Sequence, residues 1–436
     1  MPDSRRLWLA LLLLCLGSIP AAFAAPQVQS WTTAQGAKVM FVAAPELPMV
    51  DIRVVFDAGS ARDGRQPGLA SFTNAVLDQG AGALSADAIA ERLESRGIEL
   101  GNGALRDMAW YSARSLSDGP VLELAVATLA TILAEPRFAE ADVERLRQQI
   151  QAGIRQEQQS ASATASRLFF KALYGEHPYA HDPSGDLEAV AGIGIEDLRR
   201  FHAQYYVARN AVVAIVGDLE RAAAEQIAEQ LTAPLPVGEH APPIAAVDRV
   251  AQTQVAEVFP SSQTHIRLGL PGMSRHDPDY FALYVGNHVL GGGGLVSLLG
   301  EEVRHKRGLS YSVYSYFSPM RATGPFVMGA QTRNDQAALA QDVMRETLAT
   351  FITDGPGEDL LANAKQNIVG GFPLRVASNS QIVEYIAMMG FYDYPLDWLE
   401  TLPAKVEAVT AEQVRDAFRR RLDPAGMAAV MVGGSA

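Results

Sequence analysis

The sequence predicts an α+β fold made of two similar domains, each a mostly antiparallel sheet with helices packed on one side. The first support is a repeat: "MVDIRVVFDAGSARD" and "QTHIRLGLPGMSRHD" both have the pattern of a strand that ends in a glycine-containing turn. Ile52 then matches Ile266, which lies 214 residues later (266 − 52). A second pair of segments ends in apolar strands at Gly217 and Gly433, 216 residues apart (433 − 217). Two separations that agree within two residues indicate a duplicated domain.

In the first half, strand patterns come first, long helical patterns follow, and a strand closes the unit. The strands are too widely separated for a simple β-α-β alternation, which favours α+β. Predicted strands are 38–43, 50–57, 109–115 and 211–216. Predicted helices are 68–82, 85–97 (with Ser85 as N-cap and Gly97 as its stop), 119–134, 139–173 and 195–206.

The predicted domain boundaries are 27–232 and 249–436. Between them, residues 233–248 read "APLPVGEHAPPIAAVD", a segment rich in proline and alanine with neither helical nor strand periodicity. We therefore expect a linker there.

Residues 1–24 have the pattern of a signal peptide. Arg5 and Arg6 precede an apolar run over 7–16, and a small-residue site follows at Ala22 to Ala24. The run is shorter than the roughly 20 apolar residues that span a bilayer, so we expect cleavage and export to the periplasm rather than a stable membrane anchor. The chain's single cysteine, Cys15, lies inside this leader, which excludes thiol catalysis and disulfides from the mature protein.

The charge balance limits the partners. A net charge of −13 argues against nucleic acid or an anionic membrane. Two basic clusters stand against this background, at 304–307 and 419–421. We expect the second to be a solvated helix face. The first lies where a predicted helix ends and a strand follows, and it is considered with that segment below.

The stretch "GLASFTNAVLDQGAG" (68–82) predicts a helix whose apolar face carries Leu69, Phe72 and Val76. Its other face carries Ser71, Asn74, Ala75 and Asp78. These positions are aligned as metal ligands or a catalytic acid and base would be, but their side chains suit neither role well.

The eight histidines all lie between His177 and His305. His177 and His181 are four residues apart, which is the spacing of two ligands on one helix face. Because Pro178 and Pro183 favour a loop, we expect these histidines to cap nearby backbone, with a metal site as the lesser alternative.

The segment "LLGEEVRHKRGLSYSVYSYFSP" (298–319) predicts a helix stopped by Gly308 and then a strand. Alternation places Tyr311 on the opposite face from Ser310 and Ser312. Arg304 and Tyr311 are then expected in one cleft, where both donate hydrogen bonds to a peptide carbonyl or a carboxylate. The alternative is an arginine that caps helix carbonyls and a tyrosine packed in the sheet.

A glycine run precedes this segment at Gly291, Gly292, Gly293 and Gly294. It lacks the lysine and hydroxyl residue of a phosphate-binding loop. We expect it to let a backbone or an extended ligand approach closely.

The chain resembles the pitrilysin or insulinase family of inverzincin peptidases, which includes the mitochondrial processing peptidase. The resemblance covers nearly all of the mature chain and rests on four segments: "FDAGSARDGRQPGLASFTNAVLDQGAG", "HPYAHDPSGDLEAV", "DLRRFHAQYYVARNAVVAIVGDL" and "NHVLGGGGLVSLLGEEVRHKRGLSYSVYS". In active members the first of these carries H-x-x-E-H, which binds zinc and activates water.

The resemblance puts the H-x-x-E-H positions at Ser71, Asn74 and Ala75, and the third ligand near Ala152. All four positions have lost the required chemistry, so no metal is expected in this chain. The family's second functional pair is an arginine and a tyrosine seven residues later that orient the substrate. Arg304 and Tyr311 match this spacing, and Arg307 is the competing position.

These departures imply a non-catalytic, substrate-binding subunit of a heterodimeric exported zinc metallopeptidase. A related exported subunit that keeps H-x-x-E-H is the expected partner, with the zinc, and a peptide is the expected substrate. The glycine run is expected to line the chamber. The alternatives are a non-enzymatic scaffold of the same fold, and an independent peptidase with an atypical metal site.

Overall fold

The computed structural model describes residues 25–248 and 252–434, so the predicted leader lies outside the described residues. The strands are β1 (Gln29–Thr32), β2 (Lys38–Ala43), β3 (Met49–Phe56), β4 (Gly80–Ala81), β5 (Leu84–Ser85), β6 (Glu99–Ala104), β7 (Ala109–Leu116), β8 (Ala211–Gly217), β9 (Gln254–Val258), β10 (Ser261–Met273), β11 (Ser310–Phe317), β12 (Gly324–Arg333) and β13 (Ala428–Gly434).

The α-helices of the described residues alternate with these strands in groups. They are α1 (Leu69–Val76), α2 (Ala86–Glu94), α3 (Gly119–Ala134), α4 (Glu140–Glu157), α5 (Ala161–Tyr174), α6 (Leu187–Gly192), α7 (Ile195–Tyr205), α8 (Arg221–Thr232), α9 (Tyr280–Asn287), α10 (Ala337–Asp354), α11 (Glu358–Arg375), α12 (Asn379–Phe391), α13 (Trp398–Glu407) and α14 (Ala411–Arg421).

Two large sheets with the same strand order confirm the repeat and the α+β class. The first sheet has the strand order β1-β2-β8-β3-β7-β6. Written in the same direction, the second has the order β9-β13-β10-β12-β11, which corresponds to β2-β8-β3-β7-β6 and lacks a counterpart of β1. The registers also match, because Ile52 pairs with Ile215 and Ile266 pairs with Met431. A glycine with φ of 154° lies at the end of β8 and next to the end of β13, at Gly217 and Gly433.

Each sheet packs its own helices on one face and receives one helix from the other half on the opposite face. Helix α5 crosses to lie on β10 and β13, and α12 crosses to lie on β8 and β3. One hydrophobic cluster therefore contains Met40 and Val212 from the first half with Leu268 and Ile386 from the second. The exchanged helices join the two halves through a shared core.

The predicted helix over 139–173 is wrong as a single element. It is two helices, α4 and α5, and the Ser160 hydroxyl caps the second by accepting a hydrogen bond from Ala163 N at 3.3 Å. The break is needed because α5 leaves its own half to cover the second sheet. The predicted helix over 68–82 is also too long, since α1 ends at Val76 and β4 follows it.

The two halves also meet at a buried carboxylate. Asp107 is 3% exposed and lies in the turn between β6 and β7. It accepts hydrogen bonds from Tyr179 OH, from Tyr392 OH at 2.8 Å and from Arg321 N at 2.7 Å. Arg321 lies 214 residues after Asp107 (321 − 107), so the equivalent hairpin tips of the two halves touch.

Segment 233–248 contains no helix or strand and runs along the first half. Pro236 O accepts a hydrogen bond from Ala208 N at 2.8 Å, and Pro242 O accepts one from Arg62 Nη1 at 2.6 Å. Its role as a linker between domains 27–232 and 249–436 stays a prediction. Among the helices of the described ranges, none combines the length and apolar character that crossing a bilayer needs.

Candidate functional site

Helix α1 begins at a buried acid. Asp63 accepts hydrogen bonds from Gly68 N at 2.8 Å and Ala70 N at 2.7 Å, which satisfies free N–H groups at the helix start. Burial raises the pKa of the Asp63 carboxyl, and its hydrogen bonds act against that rise. The predicted apolar face is confirmed, since Phe72 and Val76 are buried in the core of the first half.

The polar groups of Ser71 and Asn74, on the other face of α1, are hydrogen bonded to other groups of the protein. Ser71 Oγ donates to Pro183 O at 2.7 Å. Asn74 is 1% exposed, and its Oδ1 accepts from Tyr206 OH at 2.9 Å while its backbone oxygen accepts from Tyr111 OH at 2.7 Å. Burial raises the pKa of both phenols, so they remain protonated donors.

The acid nearest the end of α1 is Asp78. It accepts from Gln79 Nε2 at 2.6 Å and Asn102 Nδ2 at 3.2 Å. Burial raises the pKa of this carboxyl, and these hydrogen bonds lower it in part. A single carboxylate already bonded to two amides does not replace a histidine pair.

The family's zinc does not fit the residues at its expected position. Ala75 and Ala152 supply methyl groups, while the side chains of Ser71 and Asn74 are already hydrogen bonded. Over the part of the chain that the structure describes, no group of three or more His, Cys, Asp or Glu side chains is arranged to hold a metal.

The two loop histidines, His177 and His181, form hydrogen bonds with nearby backbone groups, as the sequence predicts. His177 Nδ1 accepts from Tyr179 N at 3.1 Å, and its Nε2 lies 3.0 Å from Ala245 O. His181 Nε2 lies 3.2 Å from Ser60 O and 3.5 Å from Asp63 Oδ2. Burial is the largest single cause and lowers the pKa of His181, but the hydrogen bond and charge of Asp63 together with the bond to Ser60 O raise it, and the net shift is upward.

The structure brings Arg304 and Tyr311 together. Arg304 lies in a π-helical turn, Gly300–His305, and its Cζ is 4.1 Å from the centroid of the Tyr311 ring. Its Nη1 also donates to Tyr311 O at 3.2 Å. The tyrosine side chain is 83% exposed, so it is not packed within the sheet.

The competing arginine is engaged elsewhere. Arg307 Nη1 lies 2.5 Å from Glu302 Oε2, and Lys306 Nζ lies 2.7 Å from Glu302 Oε1. Both bonds to Glu302 lower the pKa of its carboxyl. Arg304 is therefore the arginine of this turn that lies on Tyr311.

The predicted strict alternation around Tyr311 is wrong because the strand has a β-bulge there. Ser310 pairs with Thr332 and Ser312 pairs with Gln331, which leaves Tyr311 as an extra residue. The Ser310 hydroxyl closes the bulge by bonding Ser312 O and Gln331 O, both at 2.7 Å. Tyr311 and Ser312 are consequently both exposed, while Ser310 is buried.

A Cβ at any of three glycines of the run would lie within 2.8 Å of another atom, and the approach is closest at Gly291. A Cβ on Gly291 would lie 2.4 Å from Ser315 Oγ, and Ser315 Oγ itself donates to Asn287 Oδ1 at 2.7 Å. The expected approach of a backbone is confirmed at this glycine. Gly292 and Gly294 are exposed, and their contact with a ligand stays a prediction.

The prediction that the second basic cluster, 419–421, is simply a solvated helix face is wrong. Arg420 Nη2 lies 2.8 Å from Asp279 Oδ1, and Arg421 Nε lies 2.9 Å from Asp279 Oδ2. These ion pairs tie α14 to the start of α9. The hydrogen bond from Arg420, followed by that from Arg421, lowers the pKa of Asp279.

Comparison with known proteins gives two family matches. The model "Insulinase (Peptidase family M16)" matches residues 38–183, and "Peptidase M16 inactive domain" matches residues 192–368. Among solved structures, a peptidase M16 inactive domain from Pseudomonas fluorescens is 41% identical with a TM-score of 0.91, over 94% of this chain and 98% of that one.

Curated relatives carry names of both kinds. An uncharacterized zinc protease of Mycobacterium leprae, ML0855, is 27% identical over 91% of this chain and 89% of its own length. A protein of Helicobacter pylori called "Non-peptidase homolog YmxG" is 26% identical over 85% of each chain. Overall similarity alone therefore does not decide whether a chain of this type cleaves peptides.

Proposed function

Because the chain belongs to the insulinase (M16) peptidase family, we propose that it is a non-catalytic, substrate-binding subunit of an exported zinc metallopeptidase. A related exported subunit that keeps H-x-x-E-H is the partner in this proposal. That subunit supplies zinc and the activated water and binds the peptide as an added strand. This chain supplies Arg304 and Tyr311 to the same peptide.

One observation carries the proposal: Arg304 lies on an exposed tyrosine and has no acidic partner within 4 Å among the described residues. Arg307, by contrast, pairs with Glu302 within the protein. A guanidinium fork beside a phenol is suited to a peptide carbonyl or carboxylate.

The helix α1 region supports the non-catalytic part of the proposal. Its polar side chains are bonded to other groups of the protein, and two of the three expected ligand positions are alanine. An independent peptidase would need a different metal site. The names "inactive domain" and "non-peptidase homolog" belong to similar proteins and agree with this reading.

The test mixes the purified chain with a related subunit that carries H-x-x-E-H and measures cleavage of a fluorogenic peptide. Cleavage is expected to rise on mixing. Arg304→Ala and Tyr311→Phe in this chain should each lower kcat/KM by about tenfold, which corresponds to about 1.4 kcal/mol of lost transition-state binding. Arg307→Ala is the matched control, because it removes a neighbouring arginine that already bonds Glu302.

Two outcomes contradict the proposal. No gain on mixing would remove the heterodimer and favour a scaffold of the same fold. A gain that survives both Arg304→Ala and Tyr311→Phe would remove the role given to the pair. Export is tested separately by N-terminal sequencing of the periplasmic protein, which should begin near Ala25.

A further inference from the structure

A second arginine–tyrosine pair has its tyrosine on β11, the strand that also carries Tyr311. Arg267 on β10 and Tyr314 on β11 both stand opposite Gly329 of the intervening strand β12. Arg267 Nη1 donates a hydrogen bond to Tyr314 OH, and its Cζ lies 5.6 Å from the centroid of that ring. The two side chains therefore meet across a strand that separates their backbones.

Gly329 makes this meeting sterically feasible. A Cβ at this position would lie 2.5 Å from Arg267 Nη1 and 2.6 Å from Tyr314 OH, closer than real Cβ contacts. The space that a side chain would fill is taken by the guanidinium and the phenol. The pair is thus held in place by the sheet, which reduces the entropy lost when a ligand binds.

The neighbouring tyrosine extends the surface. The rings of Tyr314 and Tyr316 are stacked, with centroids 5.9 Å apart and planes at 18°. Tyr316 is 40% exposed. Together with Tyr311 they give β11 three tyrosines within six residues. Arg304 lies over the first of these rings and Arg267 over the second.

The equivalent arginine of the first half shows what a structural role looks like. Arg53 lies 4.4 Å from the Trp110 ring centroid, but its Nη1 is bonded to Glu384 of the crossing helix α12 at 3.0 Å. Arg267 has no ion pair within 4 Å among the residues the structure describes. The repeat "Ile-Arg" in the sequence marks both positions, but only the contacts separate their roles.

We infer that Arg267 and Tyr314 form a second subsite, which takes an acidic side chain of the extended peptide held by Arg304 and Tyr311. The inference rests on the proposed function, because the first pair sets where the peptide lies. An extended strand rises about 3.3 Å per residue and Tyr311 is the extra residue of the bulge, so the two tyrosines are at most roughly 10 Å apart along β11 and the acidic residue is about two or three positions from the first contact.

The chemistry fits a carboxylate. Arg267 keeps further N–H groups beyond the one bonded to Tyr314, and a guanidinium forms charge-assisted bonds to carboxylates. Because Tyr314 OH accepts from Arg267, its own proton is free for a ligand oxygen. The exposed ring of Tyr316 offers an apolar surface to the stem of the same side chain.

The test uses two fluorescein-labelled decapeptides of valine, threonine and alanine. One carries three glutamates spaced three residues apart, and the other carries glutamines at the same positions. Anisotropy titrations with the full mature chain, alone and in the mixed complex, give Kd for each. We expect the glutamate peptide to bind about tenfold more tightly, and less so at high salt.

Variants assign the preference. Arg267→Gln should bring the two Kd values within about twofold of each other and leave the glutamine peptide unchanged. Tyr314→Phe, which keeps the ring, should reduce the preference by a smaller factor and gives a second measurement if Arg267→Gln lowers stability. Arg333→Gln is the control, since Arg333 is an exposed arginine of β12 paired with Asp335.

The outcomes separate the two ideas. Equal Kd values for both peptides with the unmodified chain, no binding of either, or a preference that persists in Arg267→Gln each overturn the second subsite. Arg304→Gln should weaken both peptides alike. If it changes neither, the proposed role of the first pair fails, whatever Arg267→Gln does.

Discussion

Replacing Asp107 with alanine is expected to weaken the contact between the two halves of the chain. The carboxylate is buried and accepts three hydrogen bonds. Tyr179 OH comes from the first half, while Tyr392 OH and Arg321 N come from the second. Removing the carboxylate leaves all three donors facing a small space at the contact between the hairpin tips.

The magnitude follows from these contacts. A hydrogen bond to a charged group contributes about 1.5–3 kcal/mol, so three of them have a gross value of roughly 4–9 kcal/mol. Water that enters the space left by the carboxylate recovers part of this. A loss of about 3–5 kcal/mol in the free energy of unfolding is therefore expected, as for other broken buried networks. That is a large fraction of the roughly 5–15 kcal/mol by which domains are stable.

Urea unfolding followed by circular dichroism and tryptophan fluorescence measures the effect. Trp31 and Trp110 report on the first half and Trp398 on the second. In Asp107→Ala the circular dichroism and fluorescence transitions should both shift to lower urea concentration, and they should coincide in both proteins because the halves share a core. Asp335→Ala is the control, because its exposed pair with Arg333 should contribute less than about 1 kcal/mol. A loss below about 1 kcal/mol in Asp107→Ala would refute the reasoning.

Two further predictions concern stability. The folded-state pKa of Asp279 lies below its unfolded value, so the stability from its ion pairs is present above about pH 4 and is lost as the pH falls through the folded pKa. The unfolding temperatures of the unmodified chain and Asp279→Asn should therefore differ at pH 7 and converge as the pH drops below about 4. A difference that stays constant with pH would contradict this assignment. Gly291→Ala should destabilise by about 1–3 kcal/mol because the new Cβ meets Ser315, whereas Gly153→Ala, inside α4 with open space around its Cβ, should stabilise by up to about 1 kcal/mol in the same urea assay.

Much of the fold follows from local patterns. The strand patterns at 38–43 and 109–115 lie within one residue of β2 and β7, and Ser85 caps α2 by accepting from Ala88 N at 3.2 Å, as predicted. The repeat predicted the matched sheets because equal spacing of apolar strands requires equal pairing. These features depend on residues that are close in sequence or duplicated, so one chain is sufficient to find them.

Features that depend on contacts between the halves were not predictable in this way. The break between α4 and α5 exists because α5 must reach the second sheet, and nothing within 139–173 identifies that surface. The bulge at Tyr311 depends on hydrogen bonds from Ser310 to the neighbouring strand. The helix–strand pattern of 298–319 predicted that Arg304 and Tyr311 project into one cleft, and the two are in contact, but the exposure of the tyrosine and the stacking came from the structure.

The arrangement of charges indicates where a ligand would bind. Around α1 in the first half, the polar groups of Ser71 and Asn74 are satisfied within the protein, and little is left to recognise a substrate. In the second half, Arg304 and Arg267 keep guanidinium groups without acidic partners among the described residues, in a chain whose net charge is −13. Arg275 and Arg375 also contact tyrosines without an ion pair in the described chain, but Arg304 differs from them because its tyrosine is exposed, which supports an external partner. The binding chemistry that we propose therefore lies on β11 and the turn before it.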